Sequence, residues 1–455
     1  MASAAEQLVK NLSWRAFSQA EDLKKRIWFT LAALVVFRLG TYVPLPGIDP
    51  TVMSETISNH SGGIIAILDR FSGGALGRMS VFALGIMPYI SASIIVQLMT
   101  AVSPHLEALK KEGESGRKII NQYTRYGTVV ICLLQSYGIA AGLEGMTDGS
   151  AGPLVYEAGF LFRMSSVITL TGGTLFLMWL GEQITSRGIG NGISLLIFSG
   201  IVANIPQALA IMFDRGRSGE YDSLFVMAVF AVVAAMVLFI ILVERAQRRI
   251  PVQYPKRQVK TKMVAAQTAH MPLRINTPGV IPPIFASTII SLPMTVISFA
   301  SSQSDGLMGT IASYLGPQKP LYLILYIALI VFFAFFYTAI VFNPEETAEN
   351  LRKNGGFVPG YRPGEKTAGY FDYVLTRLTV VGAAYLSFIC VVPEVLIAKY
   401  ALPFALGGTS LLIVVSVCMD TVAQVHSHLL AHQYGDVMKK MGMMNSSSAK
   451  RGRRR

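Results

Sequence analysis

Ten stretches of this chain, between 16 and 30 residues long, hold almost no Asp, Glu, Lys or Arg. They are Ile27–Pro46, broken only by Arg38, then Met79–Pro104, Gly127–Leu143, Met164–Gly181, Gly188–Phe213, Ser223–Val243, Ile275–Ser304, Pro320–Pro344, Leu378–Pro393 and Tyr400–Met419. A helix of about 20 apolar residues crosses the hydrocarbon core of a bilayer. Inside that core every backbone polar group must be paired within the protein, which leaves the helix as the default element. The stretches therefore predict ten membrane-spanning helices. Charged residues make up 14% of the 455 residues, against about 25% in a soluble domain. A soluble enzyme, a disordered chain and a free nucleic-acid-binding domain are all excluded on that ground. Cys132, Cys390 and Cys418 lie in apolar stretches and are expected to be buried; an odd set of three is no disulfide framework.

The connections carry an orientation signal, because basic loops stay on the cytoplasmic side. With both termini inside, the inner segments 1–26, 104–126, 182–188, 244–274, 345–377 and 420–455 hold 31 Lys and Arg. The outer segments 47–78, 144–163, 214–222, 305–319 and 394–399 hold seven. Acidic residues divide 15 to 11. The net charge of +13 is thus mostly a topology signal and needs no nucleic-acid partner. Lys24-Lys25-Arg26 before the first span, without a cleavage site after it, reads as a retained span and not a cleaved leader.

Ten spans divide into two sets of five, and an odd set places its copy upside down in the membrane. Gly85-Ile86-Met87-Pro88-Tyr89-Ile90 in span 2 matches Gly279-Val280-Ile281-Pro282-Pro283-Ile284 in span 7. Gly192-Ile193-Ser194-Leu195-Leu196-Ile197 in span 5 matches Gly408-Thr409-Ser410-Leu411-Leu412-Ile413 in span 10. Both matches fall at the five-span offset of an inverted repeat. A helix-interior proline removes a backbone hydrogen bond. Pro88 and Pro282 are accordingly expected to kink their helices where a functional site lies.

No acidic residue sits centrally in any span, unlike most proton- or sodium-coupled carriers. The run Gly360–Thr367 lacks the spacing of a phosphate loop, and His426, His428 and His432 fit a polar helix after the last span. No catalytic residue, metal site or cofactor is expected. The segment 244–274 carries eight basic residues and one acid, and 345–377 is a second long inner connection. Two readings stay open for the first of these, a topology signal with lipid headgroup contact or a docking surface. The outer run 64–76 is apolar but too short to span; it is interfacial, re-entrant or tucked into a cavity.

Phe71-Ser72-Gly73-Gly74-Ala75-Leu76, Gly85–Ser93, Lys111–Arg117, Gln122–Gly127, Trp179–Thr185, Gly188–Ser194, Val358–Gly364 and Gly407–Ile413 resemble the bacterial SecY family from about residue 20 to about residue 440. The resemblance implies an all-α polytopic membrane protein, a clamshell of two inverted five-helix halves around a central pore. Its parts are an inner N-terminal segment 1–26, halves at 27–213 and 214–443, and a basic tail 444–455. A lateral gate of spans 2 and 3 against 7 and 8 is implied. So is a plug at about 64–76, with Ile64, Ile65, Ile67, Leu68, Phe71, Gly73, Gly74 and Leu76, and a pore ring of Ile86, Ile90, Ile193, Ile197, Ile284 and Ile413. The repeat alignment alone already pairs Ile90 with Ile284 and Ile197 with Ile413.

The implied activity is passage of unfolded secretory polypeptides across the bacterial inner membrane, with sideways release of apolar segments into lipid. The implied partners are SecE, SecG, the SecA motor ATPase, translating ribosomes, nascent and presecretory polypeptides, and membrane lipids. Arg248, Arg249, Lys256, Arg257 and Arg362 are the expected docking residues. The competing class, a small-solute transporter built on inverted repeats, explains ten spans but not an all-Ile constriction.

Overall fold

Each of the ten apolar stretches carries a helix. The computed structural model describes residues 21–49, 72–145, 155–156, 158–219, 221–254, 257–259, 262–264, 267–300, 319–400 and 407–452. The first half contributes α1 (Glu21–Gly40), α2 (Met87–Val102), the short α3 (Pro104–Lys111), α4 (Glu114–Gly145), α5 (Phe160–Arg187) and α6 (Gly192–Arg217). The second contributes α7 (Ser223–Arg245), α8 (Ile281–Ala300), α9 (Pro320–Val341), α10 (Pro344–Lys353), α11 (Glu365–Tyr400) and α12 (Gly408–Gly452). Among the described residues seven helices are long and apolar enough to cross a membrane, and α2 with α3 adds an eighth candidate bent by 98°. Of the expected spans, α1 falls short of this test because charged Glu21, Asp22, Lys24, Lys25 and Arg26 occupy its first turns, and α8 because its described side chains cover only Ile281–Ser291.

Helix α7 shows what solvent these helices meet. Leu224, Met227, Leu238 and Leu242 are all more than 60% exposed, and only 17% of its most apolar window is buried. An apolar face of that extent is stable against hydrocarbon and not against water. Inward faces form one cluster that draws on α1, α2, α5, α6, α7, α8, α9, α11 and α12. A second cluster, with Leu45, Leu76, Met79, Ile139 and Leu170, closes the opposite end of the first half. Cys132 and Cys390 are buried, whereas Cys418 lies on an exposed face of α12, contrary to the expectation for all three.

Three further expectations need correction. Span 2 was expected to be helical from Met79, but residues 79–86 are turns and α2 begins at Met87. Pro88 and Pro282 do not kink helices. Each stands in the first turn of its helix, where a missing N–H costs nothing. Interior prolines are Pro206 in α6, Pro293 in α8 and Pro393 in α11, and α11 runs on past Pro393 to Tyr400.

The chain is also not purely helical. The segment 244–274 folds as a β-hairpin ladder, in which β1 (Gln247–Tyr254) pairs antiparallel with β4 (Gln267–Arg274). Its tip pairs β2 (Arg257–Val259) with β3 (Lys262–Val264). The cause is a period-two pattern masked by charge: Ile250 and Val252 are buried while Arg249, Pro251 and Gln253 face out.

Candidate functional site

The six isoleucines sit at or near the starts of four helices. Gly85 (φ 55°) turns the chain into α2, leaving Ile86 as its N-cap and Ile90 as its fourth residue. Gly279 (φ 66°) does the same for α8, whose fourth residue is Ile284. Glycine alone takes such φ values without a steric penalty. Helices α6 and α12 both open on a glycine, and Ile197 and Ile413 are each the sixth residue. These glycines allow close approach. A Cβ on Gly192 would overlap the Gly181 carbonyl of α5, and one on Gly408 would overlap the Ile389 carbonyl of α11. The inverted repeat thus survives in backbone geometry as well as in residue type.

The repeat partners touch, α2 against α8 and α6 against α12. Ile86, Ile90, Ile197 and Ile413 are buried in the main cluster, and Ile193 and Ile284 are half-buried against it. No polar side chain is interposed by any of the six, so their contacts are non-directional. Asn191 caps α6 by accepting from Ile193 N at 3.1 Å.

Of the residues expected to form a plug, Ile64, Ile65, Ile67, Leu68 and Phe71 lie outside the described residues. Its end is described. Ala75 is fully buried in the cluster that holds the isoleucines, and Ser72 lies beside Gly85. Leu76 is buried elsewhere, in the second cluster. Gly73 packs on the α6 backbone so closely that a Cβ there would lie 2.8 Å from Gly200 Cα. Arg38, the one charge inside a span, donates from Nη1 to the Gly73 carbonyl at 2.8 Å and from Nη2 to Tyr42 Oη at 3.1 Å. The Arg38 and Arg78 guanidinium groups both stand over the Tyr42 ring, at 5.0 Å and 4.3 Å. Sequence reasoning missed this anchor, because nothing in the local pattern links residues 35 positions apart.

The seam between the halves is formed by α8, which packs on both α2 and α4, while α9 supports α8 from behind. At the end of α2 the chain turns into α3. There a hydrogen bond from Lys111 holds the Glu107 carboxyl below the usual carboxylate range. Arg125 of α4 makes a fork-to-fork pair with Glu182 of α5, at 2.9 Å and 2.7 Å.

The two long inner connections form one body. Gln253 and Phe357 exchange backbone hydrogen bonds at 2.9 Å and 3.0 Å, joining the edge of β1 to the second connection. Beneath that bridge Ile250 and Leu273 share a small core with Ala348, Val358, Phe371 and Val374. Arg248 and Arg249 are exposed on β1. Arg362 is exposed on a turn between Gly360 (φ 88°) and Gly364 (φ 105°), and its carbonyl accepts from Thr367 Oγ1 at 2.8 Å. Lys256 lies outside the described residues, as does the side chain of Arg257.

Comparison with known proteins decides the lineage. The sequence profile of the SecY family matches residues 80–422. The chain belongs to the SecY family. It is 53% identical to a protein translocase subunit SecY of Rickettsia conorii, over 93% of this chain and 98% of the relative. The fold is that of a solved structure described as a protein-conducting channel (TM-score 0.65, 16% identity, covering 89% of this chain and 92% of the other). It is also that of Sec61 in the canine ribosome-channel complex from the endoplasmic reticulum (TM-score 0.59, 18% identity, with the same coverage). The chain is therefore a multi-pass membrane protein and the channel subunit of a protein translocase.

Proposed function

We propose that the six isoleucines form the gasket of the translocation pore, with the segment 64–76 as a plug resting on it from outside. The observation that carries this is register. Ile90 and Ile284 hold equivalent places in one pair of touching helices, and Ile197 and Ile413 do so in the other. A narrow ring of branched aliphatic side chains excludes water and ions by dewetting. It also yields around a passing chain, because it makes no directional bonds.

In this reading the halves 27–213 and 214–443 hinge at the α6–α7 connection and part at the seam. Polar segments continue across; segments apolar enough leave sideways between spans 2 and 3 and spans 7 and 8. The protein is not itself an enzyme. The drive comes from the SecA motor ATPase or from a translating ribosome. The canine relative's ribosome-bound state supports the latter. Both dock on the fused inner connections, with Arg362 making a charge-assisted contact and Arg248, Arg249, Lys256 and Arg257 steering the approach. SecE and SecG complete the complex in the bacterial inner membrane, with both termini cytoplasmic and the basic tail 444–455 inside.

Reconstitution with SecE, SecG, SecA and a presecretory protein, beside a panel of small solutes, tests this. Polypeptide passage driven by the motor, with solutes excluded, is the expected outcome. Solute uptake without polypeptide passage would replace the reading with a transporter.

A further inference from the structure

Among the described residues, two hydrogen bonds tie the first half to the second. Gly190 N–H donates to Gln424 Oε1 at 2.8 Å, beside the α6–α12 contact. Lys110 Nζ, on α3, donates to the Ile340 carbonyl at 3.1 Å, in the last turn of α9.

The second bond uses a helix-end acceptor. A helical carbonyl is normally satisfied by the N–H four residues on. Four residues after Ile340 stands Pro344, which has no N–H. Like the other carbonyls of a helix's last turn, it has no intrahelical donor, and it lies at the negative end of the helix dipole. Lys110 supplies the missing donor together with a positive charge. Its neighbour Lys111 is engaged one turn back by Glu107 at 2.8 Å. The 98° bend between α2 and α3 carries Lys110 off the α2 axis to the end of α9. It thereby closes, at one end, the seam that α8 makes with α2 and α4.

We propose that Lys110 is a specificity-determining residue of the seam, a latch that sets how apolar a transported segment must be before the halves part to admit it. This rests on the proposed sideways release. Phe285, Ala286 and Ile290 of α8 share an apolar cluster with Ile90 and Ile94 of α2, contact that lipid or an entering apolar segment replaces at little cost. The latch is directional and charge-assisted, and parting the halves exchanges it for water, so it adds a small fixed threshold to opening. Gln424, on the other edge, keeps the halves together while the seam swings.

The test uses the full complex in membranes and a series of guest segments of rising Leu content. The Leu number at half-maximal sideways insertion is read for the wild type, Lys110→Met, Lys110→Arg and Lys111→Met. In parallel, in a Cys418→Ser background, spin labels at Val102→Cys and Phe332→Cys report the seam distance without substrate. We expect Lys110→Met to lower the Leu threshold, raising insertion of a borderline guest about two- to fivefold, the factor of an exposed charge-assisted contact. Lys110→Arg should retain the wild-type threshold and Lys111→Met should leave it unmoved. An unchanged threshold in Lys110→Met overturns the latch. An equal shift in Lys111→Met also overturns it, because surface charge would then be the cause. If no guest inserts even in the wild type, sideways release itself fails. The seam distance alone then decides the latch: a longer distance in Lys110→Met supports it and an unchanged distance ends it.

Discussion

Ile90 and Ile284 occupy the same place in two helices from opposite halves of the chain. Each is the fourth residue of its helix, and each follows a glycine at positive φ by five positions. The two helices touch. Chemical equivalence and geometric equivalence therefore coincide at one spot, as expected of a ring built by an inverted repeat.

The double variant Ile90→Gly/Ile284→Gly should leak ions through the idle channel more than either single variant. Each change removes four carbons from the constriction, worth about 3 kcal/mol of apolar transfer at about 0.8 kcal/mol per carbon. Conductance of the reconstituted complex in planar bilayers reads this directly. A tight membrane with normal protein levels would reduce these isoleucines to helix packing.

Arg38→Met should free the end of the proposed plug, residues 72–76. The bond to the Gly73 carbonyl is charge-assisted but partly solvated, so its loss is worth about 1 kcal/mol, or about fivefold in the open fraction of the idle channel. Arg38→Lys keeps the charge but not the fork that reaches both Gly73 and Tyr42. It should fall between the two. Identical idle conductance in all three proteins would remove Arg38 from the closing machinery.

Gly192→Ala and Gly408→Ala should each destabilise the fold, by about 1–3 kcal/mol through overpacking against a helix backbone. Gly138→Ala, where a Cβ would meet nothing within 4 Å, should be neutral or mildly stabilising. Thermal unfolding in detergent distinguishes them. Equal melting of all three variants would contradict the close approach of α6 to α5 and of α12 to α11.

Phe371→Ala should loosen both inner connections at once. The ring is fully buried beneath the Gln253–Phe357 bridge, and its removal costs about 3–5 kcal/mol of local packing. Limited proteolysis should then cut within 244–274 and 345–377 together. Arg362→Glu should leave that protease pattern unchanged while lowering motor-driven translocation. Full transport by Arg362→Glu would return Arg362 to the solvated surface.

Cysteines introduced at Ser150 and Ser218 should react with an impermeant reagent added from outside, and one at Ser447 should not. The 31-to-7 division of basic residues predicts this orientation. Reversed labelling would invert every inner and outer assignment.

A helical, membrane-spanning architecture was legible in the sequence, because hydrocarbon imposes one rule on every spanning residue and that rule shows as uninterrupted apolar runs. The isoleucine pairs were legible too, since a repeat preserves spacing. The role of the prolines was misread. Whether Pro88 kinks a helix or begins one depends on where the helix starts, and the positive φ of Gly85 decides that, not the apolar run. The hairpin at 247–274 was hidden because its charged face dominated the composition of the segment.

What only the tertiary structure decided is every contact between residues far apart in the chain: Arg38 with Gly73, Lys110 with Ile340, Gln424 with Gly190, Gln253 with Phe357. The reason is physical. Burial against lipid or core acts residue by residue, so a one-dimensional pattern records it. A hydrogen bond across a seam depends on the relative placement of two helices, and no spacing within either helix encodes that placement.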